Sequence, residues 1–195
     1  DDALFAQYGL EDGTEESFRA EVKQNMEREL RNAIEASVKT QVMDAIVAAH
    51  GELELPASLI AQEVNAMRQQ MFQQFGGAAP QDMDLASILP DEMFAGQAER
   101  RVKLGLLVAE MISQFELTAE PAKVREAIED IASTYQDPEE VINWYYSENE
   151  QLAGIESRVL EDAVVEQLLS TAAIAEVECS YQDALAKARP ATPAE

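Results

Sequence analysis

The chain is poor in the residues on which most site chemistry depends. Among its 195 residues there is one cysteine, one histidine and one tryptophan, with 8 glycines and 7 prolines. The lone thiol, Cys179, excludes an internal disulfide and a cysteine-rich metal cluster, and it fits a reducing compartment. With no histidine near it in sequence, Cys179 reads as a small core residue rather than a nucleophile. One histidine cannot supply the paired Glu-x-x-His units of a di-metal bundle, nor a His-Glu zinc set. His50 stands next to Gly51 at the end of a predicted helix, where both residue types serve as caps. Neither a Gly-x-x-x-x-Gly-Lys loop nor a Gly-x-Gly-x-x-Gly turn occurs, so no phosphate cradle is expected.

Positive charge is scarce as well. Lys and Arg number 14 against 38 Asp and Glu, a net charge of −24. The acidity spans the chain, at 9 against 19 in residues 1–104 and 5 against 19 in residues 105–195. Such a surface has no electrostatic reason to hold phosphate backbones or anionic lipid, which excludes nucleic acid and membrane as main partners. Long apolar runs are missing too. The most apolar stretch, residues 102–112, is interrupted by Lys103 and Glu110 and is about half of the ~20 residues a membrane span needs. It reads as a buried core helix at the centre of the fold. The opening Asp1-Asp2-Ala3-Leu4 shows no signal-peptide pattern, and without an initiator Met it points to a processed chain or an excised part of a longer one.

Adjacent acids such as Glu15-Glu16, Glu139-Glu140 and Glu161-Asp162 arise readily among 38 carboxylates and read as solvated helix faces. No catalytic residue, cofactor or metal is expected, and the chain is not expected to be an enzyme.

What is present favours a folded, soluble, all-α protein. Hydrophobic residues make up 47% of the chain, too many for a disordered acidic tail. Ala and Glu favour helix intrinsically. From Thr14 or Ser17, apolar residues recur at Phe18, Val22, Met26, Leu30, Ile34, Val38, Val42 and Ile46, which predicts one long helix ending at His50-Gly51. Pro56 opens a second helix with Ile60, Val64, Met67, Met71, Phe72 and Phe75, closed by Gly76-Gly77. Residues 78–89 read as a loop or short helix, and Pro90-Asp91-Glu92 restarts a helix running to about Phe115. Thr118 is the predicted cap of the next helix. Asp137-Pro138-Glu139-Glu140 is a further helix start, with an N-cap acid, Pro at the first position and Glu at the third. Leu152, Ile155, Val159, Val164 and Leu168 mark another helix. Residues 174–179 alternate weakly, as a short strand would, and Ser180 is the expected cap of a last helix before a disordered tail over 189–195.

Two apolar groups stand out. Met67, Met71, Phe72 and Phe75 share one helix before a Gly-Gly break, and Tyr135, Trp144, Tyr145 and Tyr146 surround a capped restart. Each group reads either as the packing of its own hairpin or as an adaptable binding surface, for which Met and aromatic side chains are suited.

The runs Tyr8-Gly9-Leu10-Glu11-Asp12-Gly13-Thr14, Arg19-Ala20-Glu21-Val22 and Asn25-Met26-Glu27-Arg28-Glu29-Leu30 resemble the C-terminal domain of bacterial trigger factor. So do Leu55-Pro56-Ala57-Ser58-Leu59-Ile60, Gln74-Phe75-Gly76-Gly77, Arg100-Arg101-Val102-Lys103-Leu104-Gly105-Leu106-Leu107 and Ala132-Ser133-Thr134-Tyr135-Gln136-Asp137-Pro138-Glu139-Glu140-Val141. The blocks keep the family's order over nearly the whole chain, with a somewhat longer loop at residues 78–89. The resemblance implies one chaperone domain over residues 1–188, similar to the core of SurA. It would comprise a spine helix (14–51), a first arm and central helix (56–117), a second arm (118–170) and a return segment (171–188). It also implies an ATP-independent, bacterial cytoplasmic module that holds unfolded or nascent polypeptides, with a homodimer among its assemblies. Client contacts fall, by the resemblance, on Met67, Met71, Phe72 and Phe75 of one arm and on Ile131, Tyr135, Val141 and Trp144 of the other. The family's ribosome-docking and prolyl isomerase domains have no counterpart in these residues, so ribosome contact and isomerase activity are not expected of them. The alternative is a helical adaptor that docks one folded partner.

Overall fold

The computed structural model describes residues 15–74 and 85–188. Eight α-helices occur among them: α1 (Glu15–Ala49), α2 (Ala57–Gln74), α3 (Leu85–Ile88), α4 (Ala95–Gln114), α5 (Pro121–Ala132), α6 (Pro138–Ser147), α7 (Asn149–Leu169) and α8 (Tyr181–Ala188), with a 3₁₀ turn at Asp91–Met93 before α4. Thr14, Phe75, Gly76-Gly77 and the expected tail over 189–195 lie outside the described residues. The chain divides into two compact units, Asp1–Gln41 with Ala173–Glu195 and Val42–Ala172, and α1 contributes to both.

The helix ends follow from local chemistry. Glu15 and Glu16 place negative charge at the positive end of α1, and Arg19–Glu15 (2.7 Å) and Lys23–Glu27 (3.8 Å) are exposed i,i+4 pairs along it. At its other end the His50 Nδ1–H donates to the Ile46 carbonyl at 2.8 Å, and Gly51 takes the left-handed conformation at φ +46°. This is the capping arrangement the sequence implies. Lys103 adds a cap from α4, its Nζ donating to the Val47 carbonyl at 3.0 Å and also to that of Gly51. The Asp137 side chain accepts from the Glu140 N–H at 3.2 Å and so starts α6 as expected. Ser180 starts α8: its Oγ accepts from the Asp183 N–H at 3.2 Å and donates to Asp183 Oδ2 at 2.7 Å. Thr118 caps nothing. α5 begins instead at Pro121, preceded by Glu120 in extended conformation, because proline at the first helical position needs no N–H partner and already holds a helical φ.

Three apolar clusters hold Val42–Ala172 together. Val64 and Met67 of α2 pack on Phe94 and Ala98, with Ile60, Met71 and Leu89 around them, and make a hairpin of α2 and α4. Val124 and Ile128 of α5 pack on Ile155 and Val159 of α7, with Ile131, Ile142, Tyr145 and Leu152 at the margin; α6 crosses both helices. Met43 and Ile46 of α1, Val108 of α4, and Val164 and Val165 of α7 form the third. α4 thus serves two clusters. Its apolar stretch 102–112 is less enclosed than its composition implies, since Val108 alone of those residues is fully buried and Leu106 is exposed. The faces of α4 that meet α2 and α7 are covered, and the Leu106 side meets neither.

The segment 173–180 is not a strand. Each of its residues is exposed, including Cys179, which is therefore not a core residue. A strand needs a neighbour to accept its backbone hydrogen bonds, and no strand exists among the described residues.

Candidate functional site

The two apolar groups singled out in the sequence settle on different clusters. In the α2–α4 hairpin, Met67 is only 7% exposed and sits with Val64 and Phe94 in the core. Met71, one turn further on, is half-buried at the margin of that cluster, and Phe72 is half-buried beside it in sequence. Phe75 lies outside the described residues. The exposed part of this group therefore begins where the helix leaves its own core.

The second group is more open. Ile131 is half-buried and anchors the end of α5 against the α5–α7 cluster. The chain then turns, the Tyr135 N–H donating to the Ala132 carbonyl at 2.9 Å, and the Tyr135 side chain is 57% exposed. The Asp137 cap and Pro138 restart the helix at once, which brings Val141 to half-burial and leaves Trp144 47% exposed one turn later. Tyr145 turns inward to the cluster, and its ring meets that of Trp144 edge-on, with centroids 4.9 Å apart at 74°. Tyr146 is exposed like Trp144. α6 contains Val, Ile, Trp and two Tyr yet has no fully buried residue. Its apolar surface is shared between packing and solvent.

Polar contacts fix the frames that carry these side chains. Lys123 of α5 donates to Glu166 of α7 at 2.6 Å, and this hydrogen bond, helped by the acids around it, raises the lysine's pKa above its ordinary value. Arg125 pairs with Glu129 along α5 at 2.6 Å, which raises its pKa in the same way. In the hairpin, Arg68 is the buried charge. Its Nε–H donates to the Leu89 carbonyl at 2.9 Å, its Nη1 to Asn65 Oδ1 at 2.6 Å, and its Nη2 pairs with Asp91. Arg101 of α4 meets Glu63 of α2 at 3.0 Å, and Arg100 meets Asp44.

Other apolar surface escaped the sequence reading. Ile88 and Met93 flank the start of α4 and are 60% and 58% exposed. Nothing in their spacing separates them from core, because a four-residue helix and a 3₁₀ turn are too short to show periodicity. Within Asp1–Gln41 and Ala173–Glu195, Phe18, Val22, Met26 and Leu30 of α1 line a groove of about 380 Å³, with Tyr181 of α8 at its edge. The sequence marked these residues as a stripe and left open whether it was covered. Tyr181 donates its hydroxyl proton to Glu29, which raises the phenol's pKa above the ordinary 10.0. Among the described residues, no three His, Cys, Asp or Glu side chains converge as a metal site, and no helix is long and apolar enough to cross a membrane. This arrangement offers separate, partly solvated apolar faces on polar-clamped helices, which suits adhesion to apolar segments of another polypeptide.

Comparison with known proteins agrees in family and extent. The family model of the bacterial trigger factor protein C-terminus matches residues 14–170. A trigger factor from Cellvibrio japonicus is 50% identical over 182 residues, covering 93% of this chain and 41% of that protein. Those of Teredinibacter turnerae and Pseudomonas putida strain F1 are 47% and 49% identical, covering 97% and 100% of this chain and 43% of each protein. The chain thus spans about two fifths of the length of these relatives. By family match and identity, this chain belongs to the bacterial trigger factor family and corresponds to its C-terminal part.

Proposed function

We propose that the chain is an ATP-independent chaperone module, which binds apolar segments of unfolded or nascent polypeptides and limits their aggregation in the bacterial cytoplasm. The observation that carries this reading is α6, an apolar helix with no fully buried residue whose Trp144 is 47% exposed, next to Tyr135 at 57%. Membership of the trigger factor family supports it. Client contacts are assigned to Ile131, Tyr135, Val141 and Trp144 on one frame and to Met71, Phe72 and Phe75 on the other, with Met67 supporting the latter from beneath.

Each patch is small and weak alone, and a flexible client that engages two of them gains effective affinity without any new contact. The net charge of −24 keeps the exposed apolar area in solution and opposes self-association. No catalytic step is assigned to these residues. Any isomerase or ribosome-docking activity of the longer family proteins belongs, in this reading, to their other parts.

The test is dilution of a chemically denatured model protein into buffer with and without the chain, no nucleotide added. Aggregation should fall at stoichiometric ratio, and the Tyr135→Ala, Trp144→Ala double variant should protect less while melting at the wild-type temperature. An aggregation curve unchanged by the wild-type chain refutes the reading.

A further inference from the structure

Arg68 is the buried charged residue of the hairpin, at 6% exposure, and an enclosed guanidinium is a costly way to hold two helices together. A methionine of similar volume would pack against Val64 and Met67 without that desolvation. What the arginine does, and an apolar residue cannot, is grip backbone and side chains across the hairpin. It holds Asn65 on its own helix, the Leu89 carbonyl just after α3, and Asp91 at the opening of the 3₁₀ turn. Leu89 itself packs into the same cluster as Met67 and Met71. The segment over 89–91 is therefore pinned by its side chain, its carbonyl and its acid together.

The two residues flanking this clamp are Ile88 and Met93, both more than half exposed. Left unpinned, so short a segment would fold two such side chains onto the nearby core, because that burial is favourable. The clamp prevents this by tying the backbone between them to α2.

We propose that Ile88 and Met93, continuous through Leu89 with the Met71 margin, form a further client-binding surface, and that Arg68 is its positioning residue. The occupant is an extended apolar segment of an unfolded polypeptide. This rests on the chaperone reading above. Asp91 and Glu92 lie between the two apolar side chains, and the Asp91 side chain is largely exposed, so the surface fits a segment whose apolar residues alternate with cationic ones. A second copy of this acidic chain is disfavoured there for the same reason.

The test uses the full chain with methyl-labelled Ile and Met, and reduced, alkylated lysozyme as the unfolded probe. Addition of the probe should broaden or shift the methyl signals of Ile88 and Met93. The Ile88→Ser, Met93→Ser double variant should bind the probe about three- to ten-fold more weakly at unchanged melting temperature, since both side chains are exposed. Arg68→Met should retain helix content and lose affinity for the probe, with the Ile88 and Met93 methyl signals moved already in the free protein; Arg68→Lys should restore part of both. An unchanged dissociation constant for the serine variant overturns the surface whatever Arg68→Met does. If the indole signal of Trp144 responds to the probe and those two methyls do not, the inference fails and the chaperone reading stands. If no signal responds, both fail.

Discussion

At the residue scale, exposure separates side chains that a sequence presents as equivalent. Ile128 and Trp144 are both apolar residues of the same three-helix cluster region, yet Ile128 is fully buried and Trp144 is half open. Truncation of Ile128 to Ala should cost about 2–5 kcal/mol through lost burial and the cavity left behind. Trp144→Ala should lie within about 0.5 kcal/mol of wild type, since no enclosed space is vacated. Chemical denaturation of the two variants checks this, and a large loss for Trp144→Ala would mean that its ring is core. Tyr181 supplies a pH prediction. Its hydrogen bond to Glu29 stabilises the protonated phenol and raises the folded-state pKa above 10.0. The stabilisation is accordingly complete below the ordinary tyrosine range and disappears as pH rises through the raised folded value. Ultraviolet titration should show one phenol ionising later than the others, and Tyr181→Phe should remove that component. A variant curve that merely scales down the wild-type curve would contradict it.

At the element scale, the helix boundaries were legible where a short-range chemical signal existed. Asp137-Pro138 carries its whole cap in four consecutive residues, and Ser180 with Asp183 does the same, so both starts could be read directly. Thr118 offered an equally suitable side chain and was passed over, because Pro121 three residues on sets the first turn by its ring. Removing the Asp137 side chain with Ala should therefore cost about 1 kcal/mol, whereas Thr118→Ala should be nearly neutral. Thermal melts of the pair decide it; equal losses would restore Thr118 as a cap. Alternation over 174–179 was real in the sequence and did not make a strand, since pairing depends on a neighbour that local pattern cannot supply. The apolar run of α4 failed to predict enclosure for a related reason: composition sets how much surface prefers burial, and the packing partners set how much is buried.

At the scale of the whole molecule, the −24 charge acts on every element together. Like charges crowded by folding repel one another, and salt screens them, with a Debye length that shortens from about 30 Å at 0.01 M to about 8 Å at 0.15 M. The melting temperature should rise over that interval. A flat or falling trend would mean that the few ion pairs, all with at least one largely exposed partner, outweigh the repulsion.

The sequence by itself determined the class of the protein: helical through propensity and period, acidic through composition, poor in the groups that bind metals or phosphates, and similar to one family through ordered blocks of residues. These are properties of single residues and near neighbours, present before any contact between distant parts. Only the tertiary structure decided which apolar side chains remain open. Met67 and Met71 lie one turn apart on the same stripe, and the partner helix covers the first and half-leaves the second. Ile88 and Met93 carry no pattern at all, and they stay exposed beside a backbone that Arg68 grips from another helix. Burial is a relation between elements far apart in sequence, and the surface available for binding is what that relation leaves uncovered.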